Sequence, residues 1–205
     1  MTKPKVTYFD FPGSRGEEVR LALHLTGVEF EDNRIKGPSW AELKPTTPFG
    51  SLPVFEVPGR PPLAQVNAIL VLIGREHGLH PSDNWEAARH EALMCAVEEL
   101  RGTVAPVLRI KDPEESRAAR EELATGYLPS WGGYVERQLA QLSDGPFVAG
   151  ADISVVDLKL HMASKWFSSG TVDHVPTDVF ADYPRLTGVE KAVKEHPKIV
   201  AWYAR

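Results

Sequence analysis

The chain of 205 residues is 42% hydrophobic and 25% charged, ordinary globular usage that suffices for one large or two small domains with a sizeable core. A net charge of −5 with no basic block argues against nucleic acid as a partner, and the lack of any apolar run of about 18 residues excludes a membrane-spanning helix. The opening MTKPKVTYFDF holds no apolar stretch of signal-peptide length and the lone Cys95 has no internal disulfide partner, so a reducing, cytoplasmic setting is expected.

Val6-Thr7-Tyr8-Phe9 reads as a first strand, followed by the turn signal Pro12-Gly13. SRGEEVRLALHLTG predicts a helix with Val19, Leu21, Leu23 and Leu25 on its buried side and Gly27 as its stop. VEFEDNRI (28–35) predicts a second strand, and SWAELKP (39–45) a short helical turn closed by Pro45. In TPFGSLPVFEV (47–57), Val54, Phe55 and Val57 alternate as a half-buried strand that begins at Pro53. Proline has no N–H for a sheet ladder. A cis Leu52–Pro53 bond would turn the Leu52 backbone outward and leave its N–H and C=O free for a ligand. LAQV (63–66) predicts a fourth strand, and NAILVLIGREHG (67–78) a helix stopped by Gly78. The order βαβ-ββα implies a small mixed four-stranded sheet with helices packed on it.

After this the strand patterns cease. Residues 80–110 read as a long helix interrupted near Gly102 and Pro106, and residues 113–142 as more helix with Glu and Arg at i,i+4 spacing. DISVVDLKLHMASKWF and YPRLTGVEKAVKEH are further helices. Cys95, inside the apolar run ALMCAVEEL, is expected to be buried packing. Ser154 and Asp157 are spaced as a capping box, with Ile153 placed as a staple; this is a folding signal rather than a site. The division expected is 1–80 for the α/β domain, 81–86 for a linker and 87–205 for an all-helical domain.

The stretches TYFDFPGSRGEEVRLAL, SW…K…TPFGSLPVFEV, LAQVNAILVLIGREHGL, VEELR and GADISVVDLKLH, in this order, resemble the soluble cytosolic glutathione transferases, the sigma class most closely, with pi-class features in the third stretch. The resemblance implies a thioredoxin-like N-terminal domain and an all-α C-terminal domain that contributes the electrophile pocket and dimer contacts. It implies glutathione as co-substrate, a homodimer and a role in detoxification. Tyr8 would donate its hydroxyl to the glutathione sulfur. The loop after it is one residue longer than the family spacing and carries Ser14, an alternative donor near a helix N-terminus. Arg15 matches the loop arginine of the family. Trp40 and Lys44 would meet the glycyl carboxylate, and the Leu52 backbone beside Pro53 would pair with the cysteinyl backbone. Ser51 takes the place of a polar neighbour. Gln65 would hold the γ-glutamyl group, and Glu99 would reach it across a dimer. Phe9, Phe11, Ala105 and Arg109 lie where the family lines its electrophile pocket.

Two positions depart from the pattern. Val66 stands where a serine is usual, so its N–H remains for the γ-glutamyl carboxylate but the hydroxyl is gone, a loss of about 1–3 kcal/mol. Val71 stands where an arginine is common. Phe11-Pro12-Gly13-Ser14 occupies the place of a C-x-x-C motif, which excludes dithiol chemistry and its one-cysteine variant. The seven histidines are scattered without ligand spacing, so no metal is expected. The function expected is addition of the glutathione thiol to small, apolar electrophiles. The alternatives are a non-catalytic carrier or interaction protein on the same scaffold and a glutathione-dependent isomerase of the prostaglandin type.

Overall fold

The structure, a computed structural model, describes residues 3–205. Its first half runs β1 (Lys5–Phe9), α1 (Ser14–Thr26), β2 (Glu31–Ile35), α2 (Gly37–Leu43), β3 (Val54–Glu56), β4 (Leu63–Ala64) and α3 (Val66–His77). The sheet order is β2-β1-β3-β4, with β1 parallel to β2 and β3 antiparallel to both β1 and β4. This is the expected mixed sheet, with two boundaries moved for local reasons. The Gly27 and Val28 amides turn back to the carbonyls of His24 and Leu23, closing α1 in a left-handed cap, so β2 begins only at Glu31. Gln65 adopts φ 70° and launches α3, which ends β4 at Ala64.

The second half is helical: α4 (Asn84–Val107), α5 (Pro113–Glu122), α6 (Leu128–Leu139), α7 (Val155–Ser168), α8 (Pro184–Glu195) and α9 (Pro197–Tyr203). The Asp83 carboxylate caps α4 by accepting from the Trp85 and Glu86 amides, so the helix already begins inside the expected linker. The expected interruption near Gly102 and Pro106 does not occur. A glycine inside a helix costs only about 1 kcal/mol, and Pro106 falls in the last turn. Cys95 also departs from expectation: it is exposed. The buried stripe of α4 runs through Leu93, Met94, Val97, Leu100 and Val104, and Cys95 falls off it. A π-helical turn, Leu123–Tyr127, joins α5 to α6.

The capping box forms at α7. The buried Asp157 carboxylate accepts from the Ser154 amide at 2.8 Å, the Ser154 hydroxyl at 2.6 Å and the Val148 amide at 2.8 Å. It therefore ties the preceding loop to the helix. Asp157→Ala is expected to lower stability by about 2 kcal/mol, read as a shift in the urea midpoint.

Helix α1 lies at the centre, packed against β1 and α3 on the sheet side and against α7 of the helical half. It is buried nearly all round: Val19, Leu21, Leu23 and Leu25 as expected, but also Glu17, Glu18 and Arg20. Buried charges must be paired. Arg20 donates to Asp32 at 2.8 Å and to the Phe9 and Phe11 carbonyls, which pins the chain between β1 and α1. Glu17 accepts from the Trp202 indole at 2.6 Å. Glu18 meets Arg101 of α4 and Lys159 of α7; both of these also bond Glu98, which accepts in turn from Arg15 at 2.7 Å. Burial would raise the Glu98 pKa, but Lys159 and then Arg101 outweigh it and hold the group at about 2.

Candidate functional site

The strand ladders converge on one end of the sheet. Thr7 pairs with Val54, and Val54 with Ala64. One step further along both ladders lie Tyr8, Pro53 and Gln65, which brings the start of α3 beside the loop before β3. The Leu52–Pro53 bond is cis. Among the described residues the Leu52 backbone makes no hydrogen bond, as expected for a segment left open to a ligand. Pro53 is buried, while Ser51 and Leu52 are half-buried. Gln65 is exposed at the head of α3. Val66 is a core residue, 4% exposed, so its side chain serves packing and only its amide, in the first turn of α3, remains for an anion.

Tyr8 is 5% exposed, and its ring lies against the backbone of α1 at Gly16. Its hydroxyl has no hydrogen-bond partner among the described residues, and the ring does not line the cleft described next. Phe9 stands edge-on to both Tyr8, at 5.6 Å between ring centroids, and Trp40, at 5.9 Å. Trp40 of α2 is half-buried. Lys44, directly after α2, is exposed and lies alongside Gly50. The expected glutathione residues of the first half thus gather at one end of the sheet.

Next to them a cleft of about 460 Å³ separates the β1–α1 loop from the helical half. Phe11, Ser14 and Arg15 form one wall and Ala105 part of the other. Ser14, the first residue of α1, holds φ 57° and its hydroxyl has no protein partner among the described residues. Phe9 and Arg109 do not line the cleft, contrary to expectation: Phe9 is taken up by Tyr8 and Trp40, and Arg109 is exposed beyond the end of α4. Glu99 is exposed on α4, whereas its neighbour Glu98 enters the ionic cluster.

Sequence reasoning missed the α7 wall. Met162, Lys165, Trp166 and Ser169 line the cleft, together with Arg101. Their i,i+4 spacing downstream of the capping box was the available signal, since Met162/Trp166 and Lys165/Ser169 fall on neighbouring rows of one helix. The lining carries Arg15, Arg101 and Lys165, of which Arg15 and Arg101 are paired with Glu98 and Glu18 of the ionic cluster.

Residues 4–75 match the family described as glutathione S-transferase, N-terminal domain, and residues 98–205 the corresponding C-terminal domain. Glutathione S-transferase 1 of Ascaris suum is 30% identical over 211 residues, spanning 100% of this chain and 97% of that protein. Among solved structures, the glutathione S-transferase of Ascaris lumbricoides superposes with a TM-score of 0.83 at 32% identity, covering 98% of this chain and 96% of that one. The structure of prostaglandin synthase D of Nilaparvata lugens superposes with a TM-score of 0.85 at 27% identity, covering 99% and 98%. Two domain matches that leave only the α3–α4 region between them and a full-length relative agree: this chain belongs to the glutathione S-transferase family.

Proposed function

We propose that the protein binds glutathione along the Leu52–Gln65 edge, ionises its thiol with Tyr8 and adds the thiolate to a small electrophile held in the adjoining cleft. The observation that carries this reading is the Tyr8 hydroxyl, left without a protein partner, on the residue that stands opposite Pro53 of the cis Leu52–Pro53 peptide. A free thiol with pKa near 8.5 is only a few per cent ionised at neutral pH. Lowering it by about two units takes roughly 2.7 kcal/mol, and one hydrogen bond to a charged acceptor supplies about 1.5–3 kcal/mol. The thiol proton leaves to solvent, the sulfur lone pair forms the new C–S bond, and the leaving group departs with the bonding pair of the electrophile. Trp40 and Lys44 would hold the glycyl end, Gln65 and the Val66 amide the γ-glutamyl carboxylate, with Ser51 and Arg15 flanking.

The test is the absorbance of bound thiolate together with conjugation of a general aryl halide. Tyr8→Phe is expected to lose about a hundredfold in rate, while Ser14→Ala stays within severalfold of the parent. The reverse pattern would transfer the role to Ser14.

Exposed Phe49, and Glu99 on the open side of α4, support a homodimer in which Glu99 reaches the neighbouring site. A lone exposed cysteine supports a reducing, cytoplasmic place, and addition of a thiolate to electrophiles supports a detoxifying role. The domain limits 1–80, 81–86 and 87–205 are retained as part of this proposal, with α4 entering the linker at Asn84.

Val66 favours a second reading, a ligand carrier with weak glutathione binding. Val66→Ser is expected to tighten glutathione about tenfold by calorimetry, at a stability cost of about 1–2 kcal/mol for the lost packing. Absence of any glutathione heat in the parent at millimolar concentration would favour the carrier. The likeness to the Nilaparvata lugens protein supports an isomerase that starts from the same thiolate, separable by a screen across electrophile classes.

A further inference from the structure

Three cations line the cleft, and two of them are already neutralised. Arg15 donates to Glu98 at 2.7 Å, and Arg101 is held by Glu18 and Glu98. Lys165, half-buried on α7, forms neither an ion pair nor a hydrogen bond through its ammonium among the described residues. That ammonium rests over the Tyr203 ring, 4.5 Å from its centroid. A neutral aromatic face attracts the charge without cancelling it. The carbonyls that end α7 do not claim it either: those of Lys165 and Phe167 accept from the Ser169 and Gly170 amides. The lining holds no Asp or Glu among the described residues. A half-buried ammonium with its three donors unmet by protein is a place for an anion.

Two hydroxyls stand close by on the same wall. Ser169 follows Lys165 by one helical turn, and its hydroxyl is 2.7 Å from that of Thr171. Ser169 donates better across this distance than to the Trp166 carbonyl at 3.4 Å, which leaves the Thr171 proton for a ligand. The remaining surface is apolar. Met162 precedes Lys165 by one turn, Trp166 is half-buried beside it, and Phe11 on the β1–α1 wall is 42% exposed. The cleft thus combines aromatic and aliphatic walls with one cationic, hydroxyl-bearing end, and its volume suits a single-ring molecule with room for a substituent.

We propose that the electrophiles this cleft selects carry a carboxylate, and that Lys165 is the residue that sets this preference. The carboxylate accepts from the Lys165 ammonium and the Thr171 hydroxyl, while the apolar body lies against Trp166, Met162 and Phe11. The inference rests on the reading of the cleft as the electrophile site and narrows its substrates from apolar molecules to amphipathic acids.

The test compares 4-chloro-3-nitrobenzoate with its methyl ester. In both, the thiolate sulfur bonds to the ring carbon that carries chlorine, and chloride leaves with the C–Cl electron pair. The ester is the more activated ring, so the quantity read is the acid-over-ester ratio of kcat/KM within each protein, which also corrects for any loss of folded material. Lys165→Met is expected to lower this ratio about tenfold, chiefly through the KM of the acid, because the contact lies away from the reacting carbon. Lys165→Arg should keep most of the preference, and Thr171→Val should lower it severalfold. Lys194→Gln, on α8 and outside the cleft, should leave the ratio at the parental value. In the parent, added salt should raise the KM of the acid more than that of the ester. A ratio indifferent to Lys165→Met, or lowered equally by Lys194→Gln, would overturn the proposal, as would conjugation of the ester alone; each of these leaves the transferase reading standing. If neither compound is conjugated, the transferase reading falls, and calorimetry with 4-chloro-3-nitrobenzoate decides the proposal by itself. Binding about tenfold weaker in Lys165→Met would then support it, and equal or absent binding would overturn it.

Discussion

Gly16→Ala is expected to damage both folding and catalysis more than removal of the Tyr8 hydroxyl does. A Cβ at residue 16 would stand 2.1 Å from two atoms of the Tyr8 ring and 2.6 Å from the Tyr8 Cβ. The obstacle is therefore the root of the side chain on β1, which cannot swing aside as a flexible tip could. Either the strand or the helix must shift, at a cost of about 3 kcal/mol or more. The shift also moves the hydroxyl that faces the sulfur, and misplacement of about 1 Å can cost a hundredfold. The expected result is a lower denaturation midpoint together with a conjugation rate below that of Tyr8→Phe. In combination with Tyr8→Ala, which removes the ring, the stability loss should fall well short of the sum of the two. A Gly16→Ala protein of parental stability and rate would show that the sheet and α1 are not in contact through this ring.

Lys159→Met should be the most destabilising of the conservative surface-free changes, by about 3–5 kcal/mol. Lys159 is wholly buried and bonds both Glu18, wholly buried, and Glu98. With its ammonium gone, the Glu18 and Glu98 carboxylates share Arg101 alone inside the interior, apart from Arg15 at the rim. Combining Lys159→Met with Glu18→Gln removes one charge of each sign and should recover part of the loss, a coupling that a double-mutant cycle in urea reads directly. The cluster also sets an acid limit. Because Glu98 holds its proton less tightly in the fold, at about 2, than in the unfolded chain, its contribution is complete above its ordinary value of 4.5 and is lost as pH falls towards 2. Glu98→Gln should flatten that part of the stability–pH curve.

Local signals in the chain carried the fold a long way. Alternation announced β1 and β3, Gly27 and Gly78 ended their helices in left-handed caps, and the Ser154/Asp157 spacing marked the start of α7. What stayed hidden depended on the environment of a residue rather than its neighbours in sequence. Glu17, Glu18 and Arg20 look like the wet face of an amphipathic helix, and partners from elsewhere in the chain make them interior: Trp202 for Glu17, Arg101 and Lys159 for Glu18, and Asp32 with the Phe9 and Phe11 carbonyls for Arg20. Cys95 departs from expectation for the opposite reason: apolar neighbours in sequence do not bury a side chain that falls off the buried stripe of its helix. At the site, the residues near β1, β3 and β4 could be located because strand register is short-range. The Met162–Ser169 wall comes from far along the chain, and Arg109 missed the cleft because α4 continued past Pro106 before the chain turned away.

The cluster of Glu18, Glu98, Arg101 and Lys159 joins a helix of the sheet half to two helices of the other half. A gene divided at the α3–α4 junction would hand each fragment half of an electric circuit: a bare carboxylate on one piece, surplus ammonium and guanidinium on the other, each stranded in a surface shaped to exclude water. The two halves are thus heritable only as a unit, and a recombinant that inherits its front from one ancestor and its back from another must carry matching polarity at this seam before any question of substrate arises.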